Sequence, residues 1–159
     1  MPIPREQLRL TDDELNGLLE TERTLRAATV SPQCAPHVVP LWFVWHDGAI
    51  WINSLRRSKR AHDVAAGSEV ALCVDTGDEY GELRGAVLYG RFQAAEGESG
   101  LSQVRLMFAR KYWALDSIPD LKSHEWLALR PDRVVSWDFR KIPAGRDRRL
   151  EARKPSPAD

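Results

Sequence analysis

The chain lacks a net charge. Its 23 lysines and arginines balance 23 aspartates and glutamates, so no global field exists to hold a nucleic-acid backbone or an anionic membrane surface, and any anion site must be local. Cysteine is scarce: Cys34 and Cys73 lie far apart and form no Cys-x-x-Cys motif. The histidines His37, His46, His62 and His124 show no metal-ligand spacing, which argues against a zinc site. Nowhere do about twenty apolar residues run together, as a membrane span requires. The opening MPIPREQLRL has neither a long apolar core nor a cleavage pattern. The expectation is a soluble protein of a reducing, cytoplasmic compartment that binds neither nucleic acid nor membrane.

What is present is ordinary globular composition, 43% hydrophobic and 29% charged over 159 residues. That suffices for one domain with a real core and is too short for two catalytic domains. Residues 1–10 read as an N-terminal extension, 11–142 as the domain, and 143–159, rich in Arg, Pro and Ala, as a polar tail.

Thr11-Asp12-Asp13-Glu14 is a capping-box pattern that predicts a helix start, with Leu15, Leu18 and Leu19 on its apolar face. From Thr24 the pattern turns to β segments at 24–30, 37–45 and 49–55, separated by Ser-Pro-Gln-Cys-Ala-Pro and His-Asp-Gly turns. The near-continuous apolar run Leu41–Trp45 predicts a strand covered on both sides, and Pro40 predicts a bulge or an interrupted edge. A short helix over 58–66, a buried strand over 69–75 with Cys73 in the core, and a long strand over 83–95 bent at Gly85 and Gly90 follow. Helical spacing over 102–113 and two last strands, 126–129 and 133–139, complete the pattern. About six strands with few helices predict a mainly β, α+β fold: an antiparallel β-barrel with helical decoration.

The richest stretch is Asn53-Ser54-Leu55-Arg56-Arg57-Ser58-Lys59-Arg60-Ala61. It gathers four cations and two hydroxyls where a strand hands over to a helix start, a setting that favours a phosphate. A solvated basic loop is the plain alternative, and a nucleic-acid surface a weaker one given the zero net charge.

The order of a Pro-containing strand, an Asp-Gly turn, a strand, Ser58-Lys59-Arg60-Ala61 and the Val70-Ala-Leu-Cys-Val-Asp75 strand resembles the pyridoxamine 5′-phosphate oxidase-like flavin-binding proteins. The segments 75–85, Gly90-Arg91, Ala109–Tyr112 and Pro131–Asp138 resemble their flavin or deazaflavin branch. The resemblance spans Thr11 to Lys141 and rests on segment order. It implies a six-stranded split β-barrel of the FMN-binding type, a homodimer with the ring at the subunit interface, and a flavin-type oxidoreductase. Such an enzyme would transfer hydride between coenzyme F420 or FMN and a small conjugated substrate. A non-catalytic flavin- or haem-binding split barrel is the alternative. The family's Ser-Arg-Lys-Ala phosphate segment matches Ser58, Lys59 and Arg60 with the two cations exchanged, and Arg57 is a possible addition. The strands that contact the ring in the family nominate Pro40, Leu41, Trp42, Asn53 and Ser54. That oxidase's substrate-binding Arg-x-His segment has no clear match here. A redox cofactor carries its own chemistry, so a catalytic triad or paired acids are not required. The four cations Arg56, Arg57, Lys59 and Arg60 slightly favour the longer anionic tail of F420 over the single phosphate of FMN.

Lys111, Tyr112 and Trp137 are the candidate substrate-binding residues: the first two end a helix that could line a pocket, and Trp137 could reach a partner's site. Trp113 and Trp126 read as core or interface, and His62 as helix surface.

Overall fold

The computed structural model describes residues 4–95 and 100–143. Helix α1 (Asp12–Thr21) begins as its sequence dictates: the Glu14 N–H donates to Thr11 Oγ1 and the Thr11 N–H to Glu14 Oε2. Its Leu18 and Leu19 are fully buried. Strands β1 (Thr24–Val30), β2 (Pro36–Trp42), β3 (Val44–His46) and β4 (Ala49–Leu55) precede the short helix α2 (Lys59–Ala65). Then come β5 (Val70–Thr76), β6 (Arg84–Gly90), β7 (Gln93–Ala94), α3 (Leu101–Trp113), β8 (His124–Leu129) and β9 (Arg133–Asp138).

The strands form two antiparallel sheets, β2-β1-β5-β6-β9 and β3-β4-β8-β7. Their facing sides enclose the main core, where Leu25, Leu72 and Leu88 meet Phe43, Ile52 and Leu129. A second cluster, with Val44, Val104, Phe108, Tyr112 and Trp126, lies between α3 and the other side of the four-stranded sheet.

Among the described residues the seven β segments read from the sequence, about six of them expected to close a barrel, appear as nine strands, and the sheets are not hydrogen-bonded into one closed barrel. The reason is that two long apolar segments break and change sheet. The first breaks at Phe43, whose buried N–H donates to Tyr112 Oη at 2.9 Å instead of to a neighbouring strand. The second breaks at Arg91 and Phe92, between β6 and β7. Pro40 creates no bulge: β1–β2 pairing runs unbroken from Thr24↔Trp42 to Val30↔Pro36. Pro40 is tolerated because β2 is an edge strand. Nor is Leu41–Trp45 covered on both sides, since Trp42 is 45% exposed. Cys73 is only half-buried, on the outer side of the five-stranded sheet, because Leu72 and Val74 take the core-facing positions. Gly85 meets a packing need rather than a bend: a Cβ there would lie 2.5 Å from Trp137 Cζ2 and 2.8 Å from the Val74 carbonyl oxygen.

Candidate functional site

Alternation along β4 divides the predicted residues between two environments. Ile50, Ile52 and Ser54 point to the main core, while Trp51 and Asn53 point to the opposite side, toward α3. Asn53 and Ser54, both nominated as ring contacts through the family resemblance, therefore point to opposite sides of the sheet.

On Asn53's side lies an open cleft of about 790 Å³ between the end of β2, the four-stranded sheet, α3 and the 114–123 loop. It brings together the predicted Pro40, Leu41, Trp42 and Asn53. Its aromatic wall is ordered by contact: Trp42 stacks on Tyr112 at 4.4 Å and 9°, and Trp113 meets Trp42 edge-on at 5.6 Å. Aromatic pairs favour both arrangements. Phe108 packs behind them, edge-on to Trp126. The buried Asn53 Oδ1 has no hydrogen-bond partner among the described residues.

On the other side, Ser54 is fully buried and accepts a hydrogen bond from Arg60 Nη2 at 3.0 Å. Arg60 is only 5% exposed, makes no ion pair among the described residues, and leaves Nε without a partner. Burial lowers its pKa from the ordinary guanidinium value. A guanidinium removed from water without a counter-charge is costly. The predicted cation cluster is thus unequal. Arg56 pairs with Glu125 at 3.1 Å and Lys59 with Asp63 at 3.1 Å, whereas the exposed Arg57 has no ion pair among the described residues. Ser58 caps α2, its Oγ accepting from the Ala61 N–H. Asp63, held also by the Thr29 hydroxyl, is kept below the usual carboxylate range, first by that hydrogen bond and then by Lys59.

The three candidate substrate residues fare differently. Tyr112 Oη accepts from the Phe43 N–H and has its own proton within reach of the Arg23 and Phe43 carbonyls, each at 2.7 Å. Its hydroxyl is a brace, and only its ring backs the cleft. Lys111 does not line the cleft: its buried Nζ lies 4.4 Å from the Phe43 ring centroid with no hydrogen-bond partner. Burial, aided by Arg23, pushes its pKa down to about 8. Trp137 sits on β9, at the sheet edge opposite β2, far from this chain's own cleft.

Sequence reasoning missed Thr24, Leu115, Ile118, Leu121 and His124 as cleft residues. The 114–123 loop carries no periodic signal, and Trp113, read as core or interface, is 48% exposed and so not core. No helix is long and apolar enough to cross a membrane, and no cluster of three or more His, Cys, Asp or Glu side chains is placed to hold a metal, among the described residues.

The chain is thus a two-sheet antiparallel α+β domain with an aromatic cleft on one side of β4 and, on the other, a buried arginine without an ion pair among the described residues. The family model described as pyridoxamine 5′-phosphate oxidase matches residues 11–138, and the chain belongs to that family. No curated protein matches significantly. Among solved structures, a conserved hypothetical protein of Mycobacterium tuberculosis is similar with a TM-score of 0.77 at 23% identity, covering 89% of this chain and 92% of that one. The haem storage protein HutZ of Vibrio cholerae has a TM-score of 0.65 at 16% identity, with 80% and 96% covered. The FAD-binding protein of Mycobacterium smegmatis gives 0.62 at 17% identity, with 82% and 95% covered. These likenesses establish the fold.

Proposed function

We propose that the protein is a flavin-type oxidoreductase that passes hydride between FMN or coenzyme F420 and a small conjugated substrate. The observation that carries this reading is Arg60: a buried guanidinium with no carboxylate, at the same strand end as an aromatic cleft. The residues present fit such a cofactor. The cleft has the size of a small-molecule site, and the orphaned Asn53 Oδ1 and Arg60 Nε supply one acceptor and one donor.

Arg57, Ser58, Lys59 and Arg60 would hold the phosphate, and Pro40, Leu41, Trp42 and Asn53 the ring. The bound cofactor would supply hydride chemistry. The chain's part is to exclude water with Trp42, Phe108 and Trp113, to orient the ring through Asn53, and to neutralise the anion. Arg57 and Arg60, the two cations of the 56–60 segment without ion pairs among the described residues, suit the charge of a single phosphate. A longer anionic tail would have to draw Lys59 and Arg56 away from Asp63 and Glu125.

Fluorescence titration of the purified protein with FMN and F420 tests the reading. Micromolar binding of one of them is expected, and Arg60→Met should weaken it about 10- to 100-fold, since a charge-assisted hydrogen bond is worth about 1.5 to 3 kcal/mol. Equal affinity in the variant would remove Arg60 from the phosphate site. The second reading is a non-catalytic binder of flavin or haem, favoured by the likeness in fold to a haem storage protein. Anaerobic mixing of the reduced, loaded protein with enones and quinones separates the two, because a binder alone leaves the cofactor reduced.

The protein acts as a homodimer in this proposal. On the outer side of the five-stranded sheet Val38 of edge strand β2 and Val30 of β1 are exposed near each other, at 59% and 46%, and in the proposed dimer they would be covered by the partner. Trp137 lies on that same side and would serve the partner's site.

A further inference from the structure

We infer that His124 is the proton donor of this reaction, placed to protonate the carbonyl oxygen of a flat, apolar, conjugated ketone. The inference rests on the oxidoreductase reading of the cleft. Among the cleft-lining residues His124 is the only titratable one, for no Asp, Glu, Lys or Arg lines it. Adding hydride to a conjugated carbonyl creates negative charge on oxygen, and this cleft offers no other acid to meet it.

The strand pairing and the turn before β8 place His124 beside Asn53. His124 opens β8, and the pairings Leu55↔His124 and Asn53↔Trp126 put it on the same sheet face as Asn53, one diagonal step away. Its N–H donates to the Leu121 carbonyl at 2.8 Å, and the Ser123 carbonyl accepts from the Arg56 N–H at 2.9 Å, so the turn that presents it is held at both residues. Its Nδ1 contacts Ser123 Oγ at 3.0 Å, and among the described residues Nε2 has no partner. A ring nitrogen anchored on one side selects the other for chemistry. The half-exposed faces of Trp42 and Trp113 suit a planar, apolar molecule lying beside it.

A bound reduced flavin-type cofactor would supply a hydride, with its electron pair, to the β-carbon of the substrate, where a C–H bond forms. The C=C π bond breaks and its electrons shift through the conjugated system onto the carbonyl oxygen. That oxygen takes the proton from Nε2 of the imidazolium as the Nε2–H bond breaks. The substrate is reduced by two electrons, the cofactor oxidised by two, and the neutral imidazole is reprotonated by solvent.

The test uses the cofactor-free protein first. Benzylideneacetone, a flat enone, and phenylbutene, its hydrocarbon counterpart, are titrated against tryptophan fluorescence and the ¹⁵N signal of His124. The ketone should bind about fivefold more tightly, the fold-change of one net neutral hydrogen bond, and should alone move the Nε2 signal. His124→Leu should abolish the preference while still binding phenylbutene, which also shows that the variant folds. His124→Gln should retain the preference, since an amide still donates. In the loaded protein, compared at saturating cofactor, His124→Gln should slow ketone reduction about 10²- to 10⁴-fold, as loss of a general acid does. An unmoved Nε2 signal, or full turnover in His124→Gln, overturns the assignment. Cofactor binding is read separately: failure of both FMN and F420 to bind overturns the oxidoreductase reading, and the proton transfer with it, while the ketone contact is judged on its own titration.

Discussion

Lys111 shows how a single side chain can be placed against its own solvation. Its Nζ is buried over the Phe43 ring without a hydrogen-bond partner, and burial with Arg23 nearby lowers its pKa from 10.5 to about 8, although Glu22 and Glu20 partly oppose this. The unfolded chain keeps that proton up to 10.5 and the folded chain releases it near 8. Between those values the unfolded state binds more protons, so stability rises with pH, while below them both states are charged and the full cost of burial is felt. Lys111→Met keeps the apolar stem and should raise the melting temperature at neutral pH, the gain shrinking as pH climbs through that window. Thermal unfolding at several pH values decides it, and a lower melting temperature at neutral pH would contradict the account. From the sequence Lys111 was readable as a late-helix cation. Its inward placement was not, because whether a half-apolar face buries its lysine depends on what packs there.

Between the two sheets, the break at Phe43 is a matter of element geometry. The run from β2 into β3 is apolar throughout and reads as one strand, but Phe43 gives its N–H to the Tyr112 hydroxyl and so leaves the ladder. Tyr112→Phe keeps the stack on Trp42 and removes that acceptor. Chemical denaturation should show a loss of about 1 to 3 kcal/mol, the cost of a buried donor left unsatisfied. Wild-type stability in this variant would mean that the break is set by something other than the α3 hydroxyl. The capping box of α1 and the Asp-Gly turn were legible because they are local: Asp47 and Gly48 both adopt positive φ in the β3–β4 hairpin, as an Asp-Gly pair readily does. The sheet change was not legible, since the residue that causes it lies 69 positions away.

At the scale of the molecule, the exposed apolar side of the five-stranded sheet predicts self-association. Val38→Glu, on the exposed edge strand β2, should convert a dimer to a monomer in analytical ultracentrifugation without unfolding the chain, because Val38 is not part of the core. A wild-type protein that sediments as a monomer would exclude that interface. Local order in the chain, the capping box, the turn residues and the basic segment after β4, was determined by the sequence itself, since each depends on neighbours within a few residues. The tertiary structure decided which cations keep a carboxylate and which do not, on which side of β4 each candidate faces, and that the unpatterned 114–123 loop closes a cleft with His124 in its wall. Those outcomes follow from contacts between distant segments, and hydrophobic periodicity carries no information about which distant segments will meet.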